Sequence, residues 1–197
     1  PAQIGFTPVG VITDDMTRAA NALSGFTING MPVPSGNDGV LGGGTLGAML
    51  AIRDELAPEA QTAFDALARD LMERFADPAV DPTLAPGQAG LLTDRGAGFN
   101  PLTETGLAGR LTLSSAADPR QGGQIWRLRE GLGAAAPGNV GDATLLCALK
   151  DALQSPRIPG SGNFSGAARS AAGLAADVLS DVAGARQQAE FRQSYTV

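Results

Sequence analysis

The chain contains no histidine, so it lacks the commonest general base near neutral pH and the commonest transition-metal ligand. Ser-His-Asp and Cys-His catalytic arrangements are excluded for this stretch. A single cysteine, Cys147, leaves neither an internal disulfide nor a cysteine-based zinc cluster. Lysine is nearly absent as well: Lys150 stands alone and arginine supplies every other positive side chain. With 14 basic against 20 acidic residues, a net charge of −6 and no clustered basic face, nucleic acid is not expected as a partner. No apolar run approaches the roughly 20 residues that cross a bilayer, so membrane insertion is not expected and the chain should be soluble. Pro1 is followed by no basic-then-apolar leader, so no secretory signal is visible. The expectation is a fragment or a processed product.

What is present is enough for a core. At 197 residues and 43% hydrophobic, the chain can bury apolar side chains in one domain or two small ones. The acidic pairs Asp14-Asp15 and Asp54-Glu55 are the first candidates for carboxylate chemistry. Adjacent residues on a helix or strand point different ways, so neither pair converges on a substrate. Asp14 and Asp15 fit the start of a helix over Thr13–Leu23 better.

The stretch SGNDGVLGGGTLG, Ser35 to Gly47, admits three readings. Its Gly-Asn-Asp core resembles a calcium-binding nonapeptide, but only one copy is present and the apolar position is out of step. As a phosphate loop it lacks both the lysine of GxxxxGK[ST] and a GxGxxG pattern. A loop that hands a β-rich region over to a long helix explains the glycines best.

Before that loop, Gly5–Thr13 alternates like a strand, with Pro8 pushing it to an edge. FTINGMPV, Phe26 to Val33, predicts a hairpin around Asn29-Gly30. Beyond Gly44 the period changes. Leu46, Met49, Ile52, Leu56, Ala60, Phe64, Leu67, Leu71 and Phe75 recur at a mean spacing of about 3.6 residues, one face of a helical path. Thr45 is the expected N-cap. Pro58 should either kink this path or separate two helices placed end to end. Asp77-Pro78 and Asp81-Pro82 should end it.

From residue 76 to 155 the elements are short. Strands are expected at Gly90–Asp94 and Ala108–Leu113. Asp118-Pro119 should cap a turn before a short helix ended by Gly131, with Trp126 in the core. Asp142 should cap a helix burying Leu145, Leu146, Leu149 and Leu153, with Cys147 as a small buried hydrophobe. SPRIPGSGN, Ser155 to Asn163, reads as a linker. A last long helix then carries Phe164, Ala168, Ala171, Ala175, Val178, Val182, Ala185 and Ala189 on one stripe, widened by Leu174 and Leu179.

The expected architecture is α+β: a β-rich portion over residues 1–44, then a long-helix bundle arm over 45–197 with a short α/β insertion at 76–155. The residues expected to form the helix-packing or assembly seam are Leu46, Met49, Ile52, Leu56, Phe64, Leu67, Leu71, Phe75, Phe164, Leu174, Val178 and Val182. No catalytic, cofactor or metal residue is named.

Several stretches, in order, resemble the flagellar hook-associated protein family of the hook–filament junction. They are GGGTLGAMLAIRDELAPEAQTAFDALARDL from Gly42, GQAGLLTDRGAGF from Gly87, GDATLLCALKDAL from Gly141 and FSGAARSAAGLAADVLSDVAGARQQAE from Phe164. The matching residues include Gly43, Gly44, Leu46, Gly47, Arg53, Asp54, Phe64-Asp65, Leu67-Ala68 and the run Val178 to Gly184. The turn after Phe75 departs from the family pattern, with Ala76-Asp77-Pro78 in place of its usual residues. The resemblance implies a non-enzymatic structural protein outside the cell, exported by the flagellar type III route without a cleaved signal. It implies as partners other copies in a ring, the hook protein and the adjacent junction protein. The family's terminal helices, which bind an export chaperone, have no counterpart in this stretch, so that site does not carry over. A secreted adhesin or calcium-stabilised surface module is the alternative, and a carboxylate hydrolase a third class without a convergent pair to name.

Overall fold

A computed structural model describes residues 2–18, 20, 22–33, 44–164 and 166–195, without the side chains of 192–195. The calcium and phosphate readings of Ser35–Gly43 fall outside the described residues. The fold is α+β, with two small antiparallel sheets and, among the described residues, six α-helices. The chain divides into two compact units, Pro1–Gln61 with Asp181–Val197, and Thr62–Ser180.

In the first unit, β1 (Ile4–Thr7), β2 (Gly25–Ile28) and β3 (Met31–Pro32) form an antiparallel meander. Asn29 and Gly30 join β2 to β3 at φ 52° and 80°, the two positive values a two-residue hairpin turn requires. The strand expected to reach Thr13 ends at Thr7, before Pro8, which cannot donate to a ladder. The helix expected over Thr13–Leu23 does not form among its described residues, which hold isolated turns. Side chains compete for the backbone there: Thr13 donates its hydroxyl to Asp15, and Thr17 accepts from the Ala20 amide.

The helical path after the loop is continuous: α1 (Thr45–Ala51), a π-helical turn (Ile52–Leu56) and α2 (Ala57–Phe75). Its N-cap is Gly44 in extended conformation, without a side-chain cap, so Thr45 is the first helical residue and not the cap. Pro58 has no N–H for the Asp54 carbonyl and its ring crowds that oxygen. The widened turn, in which the Ala57 amide reaches back to the Ile52 carbonyl, absorbs the clash without a break. Arg53, in the π turn, donates to the Ser24 carbonyl at 2.8 Å, which ties that turn to the residue before β2.

In the second unit, β4 (Leu92–Asp94) pairs antiparallel with β5 (Leu111–Leu113), preceded by the single turn α3 (Leu107–Arg110). Thus only the second half of the expected strand Ala108–Leu113 is extended. The short helix α4 (Arg127–Glu130) ends at Gly131, as the sequence implies, and Asp118 caps the 3₁₀ turn Pro119–Gln121. Helix α5 (Thr144–Gln154) buries Leu145, half-buries Leu149 and Leu153, and leaves Leu146 and Cys147 exposed. The expected burial of those last two fails: Leu145, Leu149 and Leu153 recur at four-residue spacing on one face, and Leu146 and Cys147 turn off it by about 100° and 200°. The final helix α6 (Ala171–Tyr195) starts later than Phe164 because Ser170 caps it, accepting the Gly173 amide on its hydroxyl.

Ser155–Asn163 is no free linker. Arg157 and Arg169 exchange both backbone hydrogen bonds at 2.8 Å, so the segment doubles back on itself. Two apolar clusters form the core of this unit: Ala68, Met72 and Leu107 with Leu92 and Phe99 against them, and Leu84, Ala117 and Leu132 with Leu91 and Leu128.

At the centre lies a buried ion pair. Arg74 donates from Nε to Asp70 at 2.6 Å, and both side chains are almost wholly covered. Its other nitrogens donate to the carbonyls of Ala152, Ser155 and Arg169 at 2.6–2.8 Å. Removing one member of a buried pair leaves an uncompensated charge. Arg74→Met is therefore expected to lower unfolding stability in urea by about 3–5 kcal/mol. The double variant with Asp70→Leu should recover part of that loss. Equal losses in the single and double variants would contradict this account.

Candidate functional site

The seam expected from the sequence does not assemble as one buried face. Leu46, Met49, Ile52 and Leu56 form an exposed row on α1 and the π turn, with Met49 63% and Ile52 56% accessible. Phe64 is also exposed, Leu67 and Leu71 are half-buried, and Phe75 is buried. On the other helix Leu174 and Val178 are buried, Phe164 is half-buried, and Val182 is exposed. α2 and α6 share no extended seam. For the path beyond Leu56 the physical reason is the π turn. An extra residue in one turn rotates the succeeding helix by about 100°, so a uniform 3.6-residue count no longer marks one face. After the turn, the covered residues of α2 are Asp65, Ala66, Ala68, Asp70, Met72, Arg74 and Phe75. Small and charged side chains share the interior there with Met72 and Phe75.

The buried carboxylates of the second unit are committed to the backbone or to arginine. Asp65 accepts the amides of Gly106 and Ala108, both at 2.7 Å, at the start of α3. Asp81 accepts the Leu132 amide at 2.9 Å and both the amide and hydroxyl of Thr83. The chain at Gly133 runs so close to Thr83 that a Cβ there would sit 2.0 Å from its carbonyl oxygen. Asp94 takes a two-pronged contact from Arg110 at 2.9 and 3.1 Å.

A wider charged network surrounds α2. Arg69 lies 4.6 Å from the centre of the Phe99 ring and pairs with Glu73 at 2.8 Å and Glu104 at 3.2 Å. Burial works against its charge, but the hydrogen bonds and charges of Glu73 and then Glu104 outweigh it and raise its pKa. Glu73 also receives Arg157, and Glu104 receives the Ser161 hydroxyl. These contacts hold loops to a helix. Among the described residues no group of three or more His, Cys, Asp or Glu side chains is placed to hold a metal ion. No helix of the described residues is long and apolar enough to cross a membrane.

In the first unit Arg53 and Asp54 act together. Arg53 pairs with Asp54 at 2.5 and 3.0 Å while reaching the Ser24 carbonyl, and Arg18 approaches Asp54 at 4.0 Å. One face of the sheet carries directly opposed apolar residues, Ile4 against Ile28 against Met31 and Phe6 against Phe26. The two phenylalanine rings stand 4.9 Å apart. Ile4 is 75% exposed and Met31 69%.

Sequence reasoning named the large apolar positions and missed Asp65, Asp70, Arg74 and Asp81. The Asp and Arg at positions 70 and 74 carried a usable signal, since i and i+4 lie together on a helix. Nothing local pointed to the partners of Asp65 or Asp81. No protein-family model, curated protein or solved structure matches the chain.

Two exposed carboxylates that take amides at the start of a helical turn give a pH dependence; Asp142, expected as the cap of α5, lies one residue before its N-cap Ala143. Gln121's side chain and then Arg120's amide donate to Asp118 and lower its pKa. The hydroxyl and then the amide of Thr144 do the same to Asp142. Each folded value lies below the ordinary 3.8, so each carboxylate's contribution is complete above 3.8 and disappears as pH falls through the folded value. Carboxyl titration by NMR should therefore give midpoints below 3.8 for both. Thr144→Val should raise that of Asp142 and leave Asp118 unmoved. An unshifted Asp142 midpoint in the variant would refute the assignment.

Proposed function

We propose that this chain is a structural part of the bacterial flagellum, in the axial assembly that joins hook to filament. It acts without catalysis, outside the cell, after export by the flagellar type III route. Its partners are other copies of itself in a ring, the hook protein and the adjacent junction protein.

The observation that carries this reading is where the family-like stretches fall in the fold. Ala68 from the first stretch and Leu92 and Phe99 from the second pack in one cluster with Met72 and Leu107. Arg74, just past the first stretch, binds the Ala152 carbonyl in the third and the Arg169 carbonyl in the fourth. Parts of all four stretches lie in the second unit, where Asp65 and Asp70 from the first are tied to backbone amides and to Arg74. The exposed row from Leu46 to Leu56 and the apolar sheet face supply surface for assembly.

Antibody raised to this chain should decorate isolated flagella as a band between hook and filament. Label spread over the cell surface, together with a Tm raised by millimolar calcium, would instead support the adhesin reading. A second expectation concerns the exposed row. Met49→Glu combined with Ile52→Glu should weaken self-association in sedimentation while changing stability by no more than about 0.5 kcal/mol per site. Unaltered association in the double variant would remove this row from the assembly surface.

A further inference from the structure

The hairpin that the sequence announces at Asn29-Gly30 is also a place where the chain can modify itself. This is the only Asn-Gly pair in the sequence. An asparagine side-chain carbonyl is open to attack by the next residue's backbone nitrogen, and glycine, without a Cβ, offers the least obstruction. Gly30 has open space where a Cβ would be, and both residues are solvent-exposed. The structure adds a restraint on that reaction. The Asn29 side-chain oxygen accepts the Gln3 amide at 2.9 Å, and the Asn29 amide donates to the Gln3 carbonyl at 2.8 Å. The turn further fixes Asn29 at φ 52°. Both ends of the asparagine are thereby held to Gln3, just before β1.

We infer that Asn29-Gly30 is a latent deamidation site, closed while Gln3 holds the turn and released when the hairpin opens. In the reaction the Gly30 nitrogen loses its proton and bonds to the Asn29 side-chain carbonyl carbon. The bond from that carbon to the side-chain nitrogen breaks and ammonia leaves, giving a cyclic imide. Water then opens the imide at either carbonyl, yielding aspartate or isoaspartate at position 29, with no change of oxidation state. Isoaspartate carries an extra methylene in the main chain. A two-residue turn of that length cannot keep Ile28 opposite Met31, so β2 and β3 lose their register. The loss of register is read at the Val33 amide, which now donates to the Phe26 carbonyl at 2.8 Å.

The test is peptide mass spectrometry of the chain held in mildly alkaline buffer, folded and in urea, with hydrogen exchange on the folded sample. Because modification follows the population of the open form, conversion at Asn29 should be at least about tenfold slower folded than in urea. Gln3→Pro, which deletes one donor at a strand end, should speed the folded reaction and leave the urea rate unchanged. In the converted fraction the Val33 amide should exchange faster than in the unconverted one. Equal rates folded and in urea would overturn the restraint, and an Asn29 that survives in urea would overturn the site. Gln3→Pro converting as slowly as the parent would show that Gln3 does not hold it, and unchanged Val33 protection after conversion would refute the loss of register.

Discussion

The Asp70–Arg74 pair is the constraint on which the second unit depends. A guanidinium removed from water must have its donors met, and here they are met by one carboxylate and three backbone carbonyls. The carbonyls of Ala152 and Ser155 sit at the end of α5, where the helix leaves its last acceptors without internal partners and favours a positive charge. The third, from Arg169, fixes the strand-like crossing just before α6. One side chain thus determines where α2, the end of α5 and the approach to α6 meet. The other carboxylate oxygen of Asp70 has no hydrogen bond, and the nearest cation, Arg157, stands 4.0 Å away. Arg157 is drawn to Glu73 instead, which extends the charged layer outward along α2.

The same economy recurs away from that pair. Asp65 and Asp81 each gather backbone amides from a loop far along the chain, so carboxylates do the organising that large apolar side chains do elsewhere. This explains why the interior face of α2 is rich in alanine, aspartate and arginine. It also leaves long apolar side chains on outer faces. Those outward residues, with the sheet face of the first unit, are the material on which an assembly function would rest.

Local signals were legible where a residue acts within a few positions. The Asn29-Gly30 hairpin, the Asp118 cap, the stop at Gly131 and the disturbance at Pro58 were all readable, because each arises from φ, a missing N–H or a short side chain reaching its own neighbourhood. Some local readings failed for a local reason as well. Asp14 and Asp15 fitted a helix start after Thr13, but Thr13 donates to Asp15 and Thr17 takes the Ala20 amide in turns. Periodicity misled where the helix departed from uniform geometry: the π turn over Ile52–Leu56 shifted the face on which Phe64 and Leu67 were expected.

By itself the sequence determined that histidine and paired-cysteine chemistry are absent from this stretch, that a β-rich start precedes a long helical path, and where several of the turns lie. Composition and short-range sterics suffice for those. Only the tertiary structure decided which side chains are covered and what the buried charges hold. Arg74 meets its carbonyl partners from 78 to 95 positions away, and Asp65 its amides from 41 and 43. At such separations no local preference specifies the partner. The choice is made when desolvating a charge becomes tolerable only in the one packing that satisfies it.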